Sequence, residues 1–421
     1  MTTIPSDRLS NRFTAEQLLL MVASAGLLLV NLLVLSVNRG IGYGAGLLLL
    51  SSVILLMISL KRESKPLTGN DRIFVLSLIV FPAAVAISMA LHGDWHWSSL
   101  DKPLRFLLVV PVFLVIRYFG LSRNFLFIGA IVGAIAAGSF GYYQKYIIGM
   151  DVAHGFTHKI PFGDISLMLG MFSLAVIVPS KNWKAPKWLL VLAVVGFGFG
   201  LLGSLCSGTR GGWVALPLLF WLILSSSVSN RKIRWGIFGA FVAILLLLYS
   251  SNSLVQGKVD RAVSTTQSYF SEGKIEGSAG SRFEMWRGAW TMFVENPWIG
   301  VGKENYRPEA ERMKAEGRFH TDIYDHPHND MFNLLAELGI IGGLAMVLLY
   351  GLLIRFFAHW RHIDPQLACA GLLLTFGYID FSLTQAMFEH NISTSFLALN
   401  VAAIAGMLSH SYLQSQTAKG N

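Results

Sequence analysis

The sequence predicts an all-α polytopic membrane protein with about twelve transmembrane helices. First, 53% of its 421 residues are hydrophobic and only 14% are charged, whereas soluble proteins carry roughly 25% charged residues. Second, apolar runs of the length needed to cross a bilayer, about 20 residues, recur along the chain. Third, lysine and arginine concentrate in short segments between those runs, and more of them lie on one predicted side of the membrane.

The apolar runs define twelve predicted spans with one long polar gap between the ninth and the tenth. Pro111 lies inside the fourth run, where we expect a kink because proline removes a helical hydrogen bond. The spans cover residues 16–37, 41–60, 73–92, 104–120, 124–147, 161–179, 188–206, 213–229, 234–250, 331–357, 366–386 and 392–410.

The distribution of positive charge predicts that both termini are cytoplasmic. With that orientation the cytoplasmic boundaries hold fourteen lysines and arginines, and the opposite short loops hold six. Arg8 and Arg12 precede the first apolar run without a small-residue cleavage site, so we expect an uncleaved signal-anchor. The formal charge of +9 is scattered among loops, which argues against a nucleic-acid partner. Cys206 and Cys369 are predicted near opposite faces, too far apart for a disulfide.

Residues 251–330 form a predicted periplasmic loop of helical character, which divides the chain into residues 1–250, 251–330 and 331–421. Ser281 followed by Glu284 resembles a capping box that opens a helix, and Pro297 is expected to end it. Aromatic residues then recur at helical spacing, which fits either the lipid headgroup interface or packing onto the outer ends of the spans. They are Phe283, Trp286, Trp290 and Phe293.

Arg210 lies between glycines in the segment Ser207–Gly212, at the predicted outer mouth of the seventh and eighth spans. A guanidinium there is costly to retain, and it matches phosphate oxygens with two parallel hydrogen bonds. Arg282 lies at the predicted start of the capped helix, where free N–H groups also favour an anion. The alternatives are a tight turn marked by a snorkelling Arg210 and a solvated Arg282.

His328 lies in the segment His326–Asp330, just before the tenth span. An imidazole with an ordinary pKa near 6.5 can accept a proton at neutral pH. The pair His326 and His328 also allows a metal site, but no acidic pair accompanies it, so we expect no metal cofactor. Two arginines and a histidine on one face predict a phosphate-bearing substrate and a general base.

Other polar residues near the predicted outer face are candidate substrate contacts. An ionisable residue within a span marks a functional site by default, so Asp380 is one of these candidates, and it could pair with an arginine. The remaining candidates are Lys102, Arg105, Lys145, His154, Glu389 and His390.

Three short motifs carry a resemblance to a known family: Arg210-Gly211, Ser281-Arg282 with Trp286, and His328-Asn329 followed by Gly339–Gly342. By these motifs the sequence resembles the bacterial O-antigen ligase and O-antigen polymerase superfamily, and most of all an O-antigen ligase. The segment Pro297–Gly302 and the long loop before the late spans are similar too, so the pattern covers roughly residues 200–345.

The resemblance implies a GT-C-type glycosyltransferase of the bacterial inner membrane with its active site facing the periplasm. Such ligases move a polysaccharide from undecaprenyl diphosphate to a sugar hydroxyl of lipid A–core, without a metal and with inversion. The family's histidine falls on His328 and its arginines on Arg210 and Arg282. The chemistry of the residues is consistent with this. The outer compartment lacks ATP, so the donor itself must be activated, and arginines can stabilise the departing diphosphate.

The sequence leaves three alternative functions open. An O-antigen polymerase extends the glycan on its lipid carrier, and an oligosaccharyltransferase would transfer it to protein. A transporter of lipid-linked glycans also fits twelve spans, although transporters often contain internal repeats and bind near the bilayer midplane. No repeat is visible here, and the charged candidates lie on one side.

Overall fold

A computed structural model of the chain describes residues 14–62, 65–181, 183–251 and 253–420, and all regular elements in these ranges are helical. The helices are α1 Ala15–Leu32, α2 Gly40–Ser59, α3 Gly69–His92, α4 Trp97–Leu108, α5 Val110–Phe119, α6 Arg123–Tyr142, α7 Lys159–Ala175, α8 Lys187–Ser207, α9 Leu216–Ser227, α10 Arg231–Ser251, α11 Ser253–Glu272, α12 Gly277–Glu295, α13 Tyr306–Ala315, α14 Asp330–His359, α15 Pro365–Thr384 and α16 Asn391–Gly420.

The predicted class, an all-α polytopic membrane protein, is confirmed. In the described ranges, eight helical stretches are long and apolar enough to cross a membrane, and the count of twelve stays a prediction. The eight are Ala15–Leu32, Gly40–Ser59, Gly69–His92, Arg123–Ile147, Lys187–Ser207, Asp330–His362, Pro365–Thr384 and Asn391–Ala418. The predicted signal-anchor begins in residues 1–13, which lie outside the described ranges.

Three predicted spans differ from the helices observed. Residues 104–120 form parts of two helices, α4 and α5, because the chain breaks at Val109 and Pro111 lies in the first turn of α5. The run 161–179 yields the 17-residue α7, which is buried from Ile160 to Ala175. The run 213–229 begins as a 3-10 turn at Gly211–Trp213 and continues as the 12-residue α9.

Buried ion pairs join the helix ends at one end of the bundle, called here the Asp71 end. Asp71 completes the capping box of α3, and its carboxylate accepts hydrogen bonds from Arg117 at 2.9 Å and from Ser409 at 2.7 Å. Arg123 lies 2.6 Å from Asp364, the N-cap of α15. These contacts fix helices from distant parts of the sequence because a charge without its partner is costly to bury.

The opposite helix ends meet at what is called here the His328 end. The Ala153 N–H donates to the Cys206 carbonyl at 2.9 Å, which joins the chain before α7 to the end of α8. Arg105 of α4 donates to the Asn391 carbonyl at the start of α16 at 2.7 Å. Hydrogen-bonding groups up to 286 residues apart in the sequence therefore share one end of the bundle.

A second, smaller core attaches α12 and α13 to α14. Its buried members are Met285, Ala289, Met292, Tyr306, Ala310, Met313, Phe319 and Ala336. Because Ala336 belongs to α14, the segment between α10 and α14 packs directly on a transmembrane helix.

The helix α14 is interrupted at Gly339, whose φ of 62° and ψ of −150° lie outside the helical region. The break allows the segment Pro297–Gly302 to bind the freed backbone groups. Ile340 N–H donates to the Pro297 carbonyl at 2.8 Å, and Val301 N–H donates to the Ala336 carbonyl at 2.9 Å. The two glycine-containing motifs of the sequence, Pro297–Gly302 and Gly339–Gly342, therefore form one joint.

Gly339→Ala should lower the melting temperature and loosen the segment between α12 and α14. A side chain at this φ and ψ costs on the order of 1–3 kcal/mol, and its Cβ would lie 2.5 Å from the Trp298 carbonyl carbon. Thermal unfolding followed by tryptophan fluorescence, with limited proteolysis of residues 296–330, measures both effects.

Gly351→Ala is the matched control, because Gly351 lies in the same helix and a Cβ there meets nothing within 4 Å. The control should melt at the wild-type temperature or slightly above it. Equal melting temperatures and cleavage rates for Gly339→Ala and wild type would contradict the proposed joint.

Candidate active site

The start of α14 is tied to the turn between α15 and α16 by two buried residues, Asn329 and Asp330. Asn329 caps α14 through the Phe332 N–H and donates to the Leu383 carbonyl at 3.0 Å. Asp330, 1% exposed, accepts hydrogen bonds from the Ser382 hydroxyl at 2.7 Å and from the Met387 and Phe388 N–H groups at 3.0 and 3.1 Å. A carboxylate with three donors holds its neighbours rigidly, so the residue before the cap has a fixed position.

The residue before the cap is His328, which has a positive φ of 51°. Histidine adopts this left-handed conformation more readily than most side chains, and the bonds at Asn329 and Asp330 hold it there. The His328 Nδ1 lies 2.6 Å from the Gln385 Oε1. Burial lowers the pKa of His328, and the nearby Arg282 lowers it further, although the Gln385 hydrogen bond acts in the opposite direction. The imidazole is therefore neutral at neutral pH.

His328 and Arg282 line one cavity of about 480 Å³ at the His328 end of the bundle. Its walls come from three segments: the start of α7, the first turns of α12, and the loop before α14. The start of α7 adds a cation, Lys159, so the cavity has two positive side chains and a neutral imidazole. Such a cavity suits an anionic substrate next to a proton acceptor.

Arg282 reaches the cavity from the interior of α12 rather than from a capped start. The helix begins at Gly277, and the Ser281 hydroxyl donates back to the Gly277 carbonyl at 3.0 Å, so the predicted capping box is wrong. Glu284 is buried and binds Arg287 instead. Burial lowers the pKa of Arg282, and the Asp164 carboxylate opposes this shift. Within the described residues, no carboxylate lies within ion-pair distance of Arg282.

Trp286 couples the helix of Arg282 to the loop of His328. Its indole N–H donates to the Pro327 carbonyl at 2.9 Å, and its ring stacks on Phe332 at the start of α14. Trp290, one turn further along α12, is half exposed. The predicted aromatic face is therefore divided, and Trp286 packs inward while Trp290 faces outward.

Arg210 is exposed and lies outside the cavity wall, on the loop between α8 and α9. Its neighbours fix that loop at the His328 end. A Cβ on Gly211 would lie 2.0 Å from the Thr384 hydroxyl oxygen, and one on Gly212 would lie 2.7 Å from the Asp164 carboxylate. The structure thus brings Arg282 and His328 together and leaves Arg210 on the adjoining loop.

Three further histidines surround His328. The rings of His326 and His328 lie 4.8 Å apart, those of His326 and His390 5.6 Å apart, and those of His158 and His390 6.2 Å apart. Burial lowers the pKa of His326 to about 3 and that of His390 to about 4. In the described part of the chain, no group of three or more histidine, cysteine or acidic residues has an arrangement that could hold a metal ion.

Lys102 and Glu389 belong to a buried ion-pair network rather than to the cavity wall. The Lys303 ammonium lies 2.7 Å from Glu337 and 2.6 Å from Glu389, and Lys102 lies 2.8 Å from Glu389. Burial alone would lower the pKa of Lys303, but the two carboxylates raise it well above its usual range. The network joins the segment after α12 to α14, to the α15–α16 turn and to α4. Substrate contacts by Lys102 and Glu389 stay a prediction.

The other candidate contacts also lie away from the cavity. Arg105 binds Asp101, the Asn391 carbonyl and Ser395. Lys145 lies over the ring of its neighbour Tyr146. Asp380 accepts a hydrogen bond from the Ala215 N–H at 3.1 Å and forms no ion pair with an arginine among the described contacts. His154 donates its backbone N–H to Gln144.

Sequence reasoning missed Gln385, Asp330 and Lys303 as determinants of the site. Gln385 is wholly buried against His328, but a glutamine at the end of an apolar run carries no motif. Lys303 looks like an ordinary loop lysine. The one available signal was Asp330, which follows the His328-Asn329 motif at the start of an apolar span.

A family model described as "O-Antigen ligase" matches residues 195–347, which include Arg210, Arg282 and His328. Two O-antigen ligases are similar over most of the chain. That of Pseudomonas aeruginosa is 24% identical and covers 79% of this chain and 76% of its own. That of Salmonella typhimurium is 25% identical and covers 82% and 85%.

An uncharacterized protein of Haemophilus influenzae is 23% identical and covers 84% of this chain and 91% of its own. Together with the two ligases and the family model, it extends the similarity over most of the chain. The predicted resemblance to the O-antigen ligase superfamily is confirmed.

Lys303→Ala should destabilise the fold, because it leaves Glu337 and Glu389 without their shared cation. Breaking a buried pair by removing one partner costs roughly 3–5 kcal/mol. Thermal unfolding of the detergent-solubilised protein measures the loss. Arg307→Ala is the control, since Arg307 pairs with Glu311 and Asp325 at the exposed surface. The same melting temperature for both variants would count against the network.

Proposed function

We propose that this multi-pass membrane protein is an O-antigen ligase. It transfers a polysaccharide from undecaprenyl diphosphate to a sugar hydroxyl of lipid A–core in lipopolysaccharide biosynthesis. The observation that carries the proposal is the single cavity that Arg282 and His328 line together. The names of the two ligases favour this acceptor over a growing lipid-linked glycan or a protein.

Arg282 binds the diphosphate of the donor. Its guanidinium has no ion-pair partner among the described residues, and it is half-buried, so a diphosphate gives it a charge-assisted partner away from bulk water. Lys159 adds positive charge to the same wall. Arg210 contributes positive charge from the adjoining loop, where its side chain is exposed.

His328 acts as the general base. The acceptor hydroxyl attacks the anomeric carbon, and its proton passes to the neutral imidazole. The new carbon–oxygen bond forms as the bond from the anomeric carbon to the diphosphate breaks, and undecaprenyl diphosphate leaves with the electron pair. The arginines stabilise the charge that grows on the diphosphate. A single displacement inverts the anomeric centre, and the step requires no metal.

The proposed orientation places the cavity on the periplasmic side of the inner membrane. The excess of lysine and arginine near the Asp71 end supports it, because positive residues favour the cytoplasmic side. The lipid-linked donor then reaches the cavity from the outer leaflet.

In vitro transfer from a defined lipid-diphosphate donor to lipid A–core tests the function, with a chelator present throughout. Wild type should form the product, whereas His328→Ala should lose about 10²–10⁴-fold in rate, the usual contribution of a general base. Arg282→Ala and Arg210→Ala should each lose about 10²–10³-fold, as for other groups that stabilise developing negative charge.

His96→Ala and Arg261→Ala are the controls, because both side chains are exposed and lie outside the cavity wall. Both should transfer at the wild-type rate. Product formed by His328→Ala at that rate would exclude the proposed base. Extension of the donor without added lipid A–core would favour a polymerase, and movement of the donor without any product would favour a transporter.

A further inference from the structure

Gln385 follows the last residue of α15, and its side chain is completely buried. The Oε1 atom of its amide lies 2.6 Å from the His328 Nδ1 and 3.0 Å from the Ala386 backbone nitrogen. One amide group therefore contacts the imidazole and the backbone of the α15–α16 turn at the same time.

The backbone contact determines which end of the amide faces His328. A backbone N–H can only donate, so the side-chain atom that faces Ala386 must be the oxygen. The same oxygen faces the His328 Nδ1. A carbonyl oxygen has no proton to give, and a 2.6 Å contact between two acceptors would be repulsive. The proton of the neutral imidazole is therefore on Nδ1.

We propose that Gln385 is a positioning residue that holds His328 in the tautomer with a proton on Nδ1, which leaves Nε2 as the proton acceptor. This inference rests on the proposed function, because an unprotonated Nε2 matters for catalysis only if His328 is the general base. The nitrogen that carries the proton is set by the hydrogen bond that the other nitrogen makes.

Among the described residues around His328, no second group is placed to take over this role. His326 accepts from the His328 backbone N–H and not from its ring. Arg282, His158 and Lys159 face the imidazole from α12 and from the start of α7, and each lowers its pKa. The ring also contacts Tyr324 at its edge. Among the described contacts, Gln385 is the one that binds a ring nitrogen.

An amide has a specific consequence that a carboxylate would not have. When Nε2 takes the proton of the acceptor hydroxyl, the resulting imidazolium keeps its Nδ1–H bond to a neutral oxygen. Its extra proton is then held less strongly than it would be beside a carboxylate, so His328 can release it to solvent after each turnover.

Nitrogen-15 NMR of histidine-labelled full-length protein in detergent measures the tautomer directly. His328→Gln identifies the His328 signals by their absence. At pH near 7.5, where His328 is neutral, the wild type should show a protonated Nδ1 and an unprotonated Nε2. Gln385→Leu should shift the signals toward a mixture of the two tautomers. A protonated Nε2 in wild type, or the same tautomer in Gln385→Leu, would overturn the proposal without any measurement of transfer.

Kinetics give a second test. Gln385→Leu should lower kcat by about 10²-fold, the lower end of a general base's contribution, with little change in the KM of the donor. Gln385→Glu retains an oxygen acceptor and should restore much of kcat. Its carboxylate favours the imidazolium, so the acid limb of the kcat/KM profile should move to higher pH. Wild-type kcat in Gln385→Leu, or an unmoved limb in Gln385→Glu, would refute positioning.

Gln366→Leu is the matched control. Gln366 is also buried, lies near the other end of α15 and binds the Val176 and Val178 carbonyls. Its loss should reduce stability but leave kcat of the folded protein and its pH profile unchanged. If the wild type forms no product, the proposed function fails. The tautomer seen by NMR still tests the contact between Gln385 and His328 in that case.

Discussion

The site depends on the buried carboxylate of Asp330. It binds three donors from the end of α15 and the turn that follows, so the start of α14, the end of α15 and the turn toward α16 meet at one point. Loss of a buried acceptor would leave those donors unpaired, which makes the arrangement cooperative. His328, two residues before, gains its left-handed backbone and its contact with Gln385 from this anchor.

The cavity wall opposite His328, formed by α12, is held by apolar packing and ion pairs. Helix α12 lies on α14 through a small apolar core, and the chain after it inserts into the break at Gly339. The buried Lys303 then joins the same segment to Glu337 and Glu389. Packing fixes the distance between the two walls, and the ion pairs fix their register. Arg282 is thereby held across the cavity from the imidazole without forming an ion pair of its own among the described residues.

The sequence was sufficient to predict the membrane class and the candidate residues His328 and Arg282. It was not sufficient to predict the contacts that hold those residues in place. Apolar length defines spans, and His328 and Arg282 stand out because charge near a bilayer is costly. The capping box predicted at Ser281 was wrong because that pattern considers only four neighbouring residues. The observed helix starts four residues earlier, at Gly277. Gln385 lies 57 residues from its partner, and no periodicity in the sequence records such a pairing.

Equilibrium binding of an undecaprenyl-diphosphate-linked glycan separates the roles of the two walls. Arg282 should bind the diphosphate, so Arg282→Ala should raise the Kd for the donor by about 10-fold or more, as expected for loss of a charge-assisted hydrogen bond. His328→Ala should bind as wild type does, because a general base acts only on the acceptor proton. Unchanged binding by Arg282→Ala, or equal loss in both variants, would contradict a cavity that binds the donor with one wall and activates the acceptor with the other.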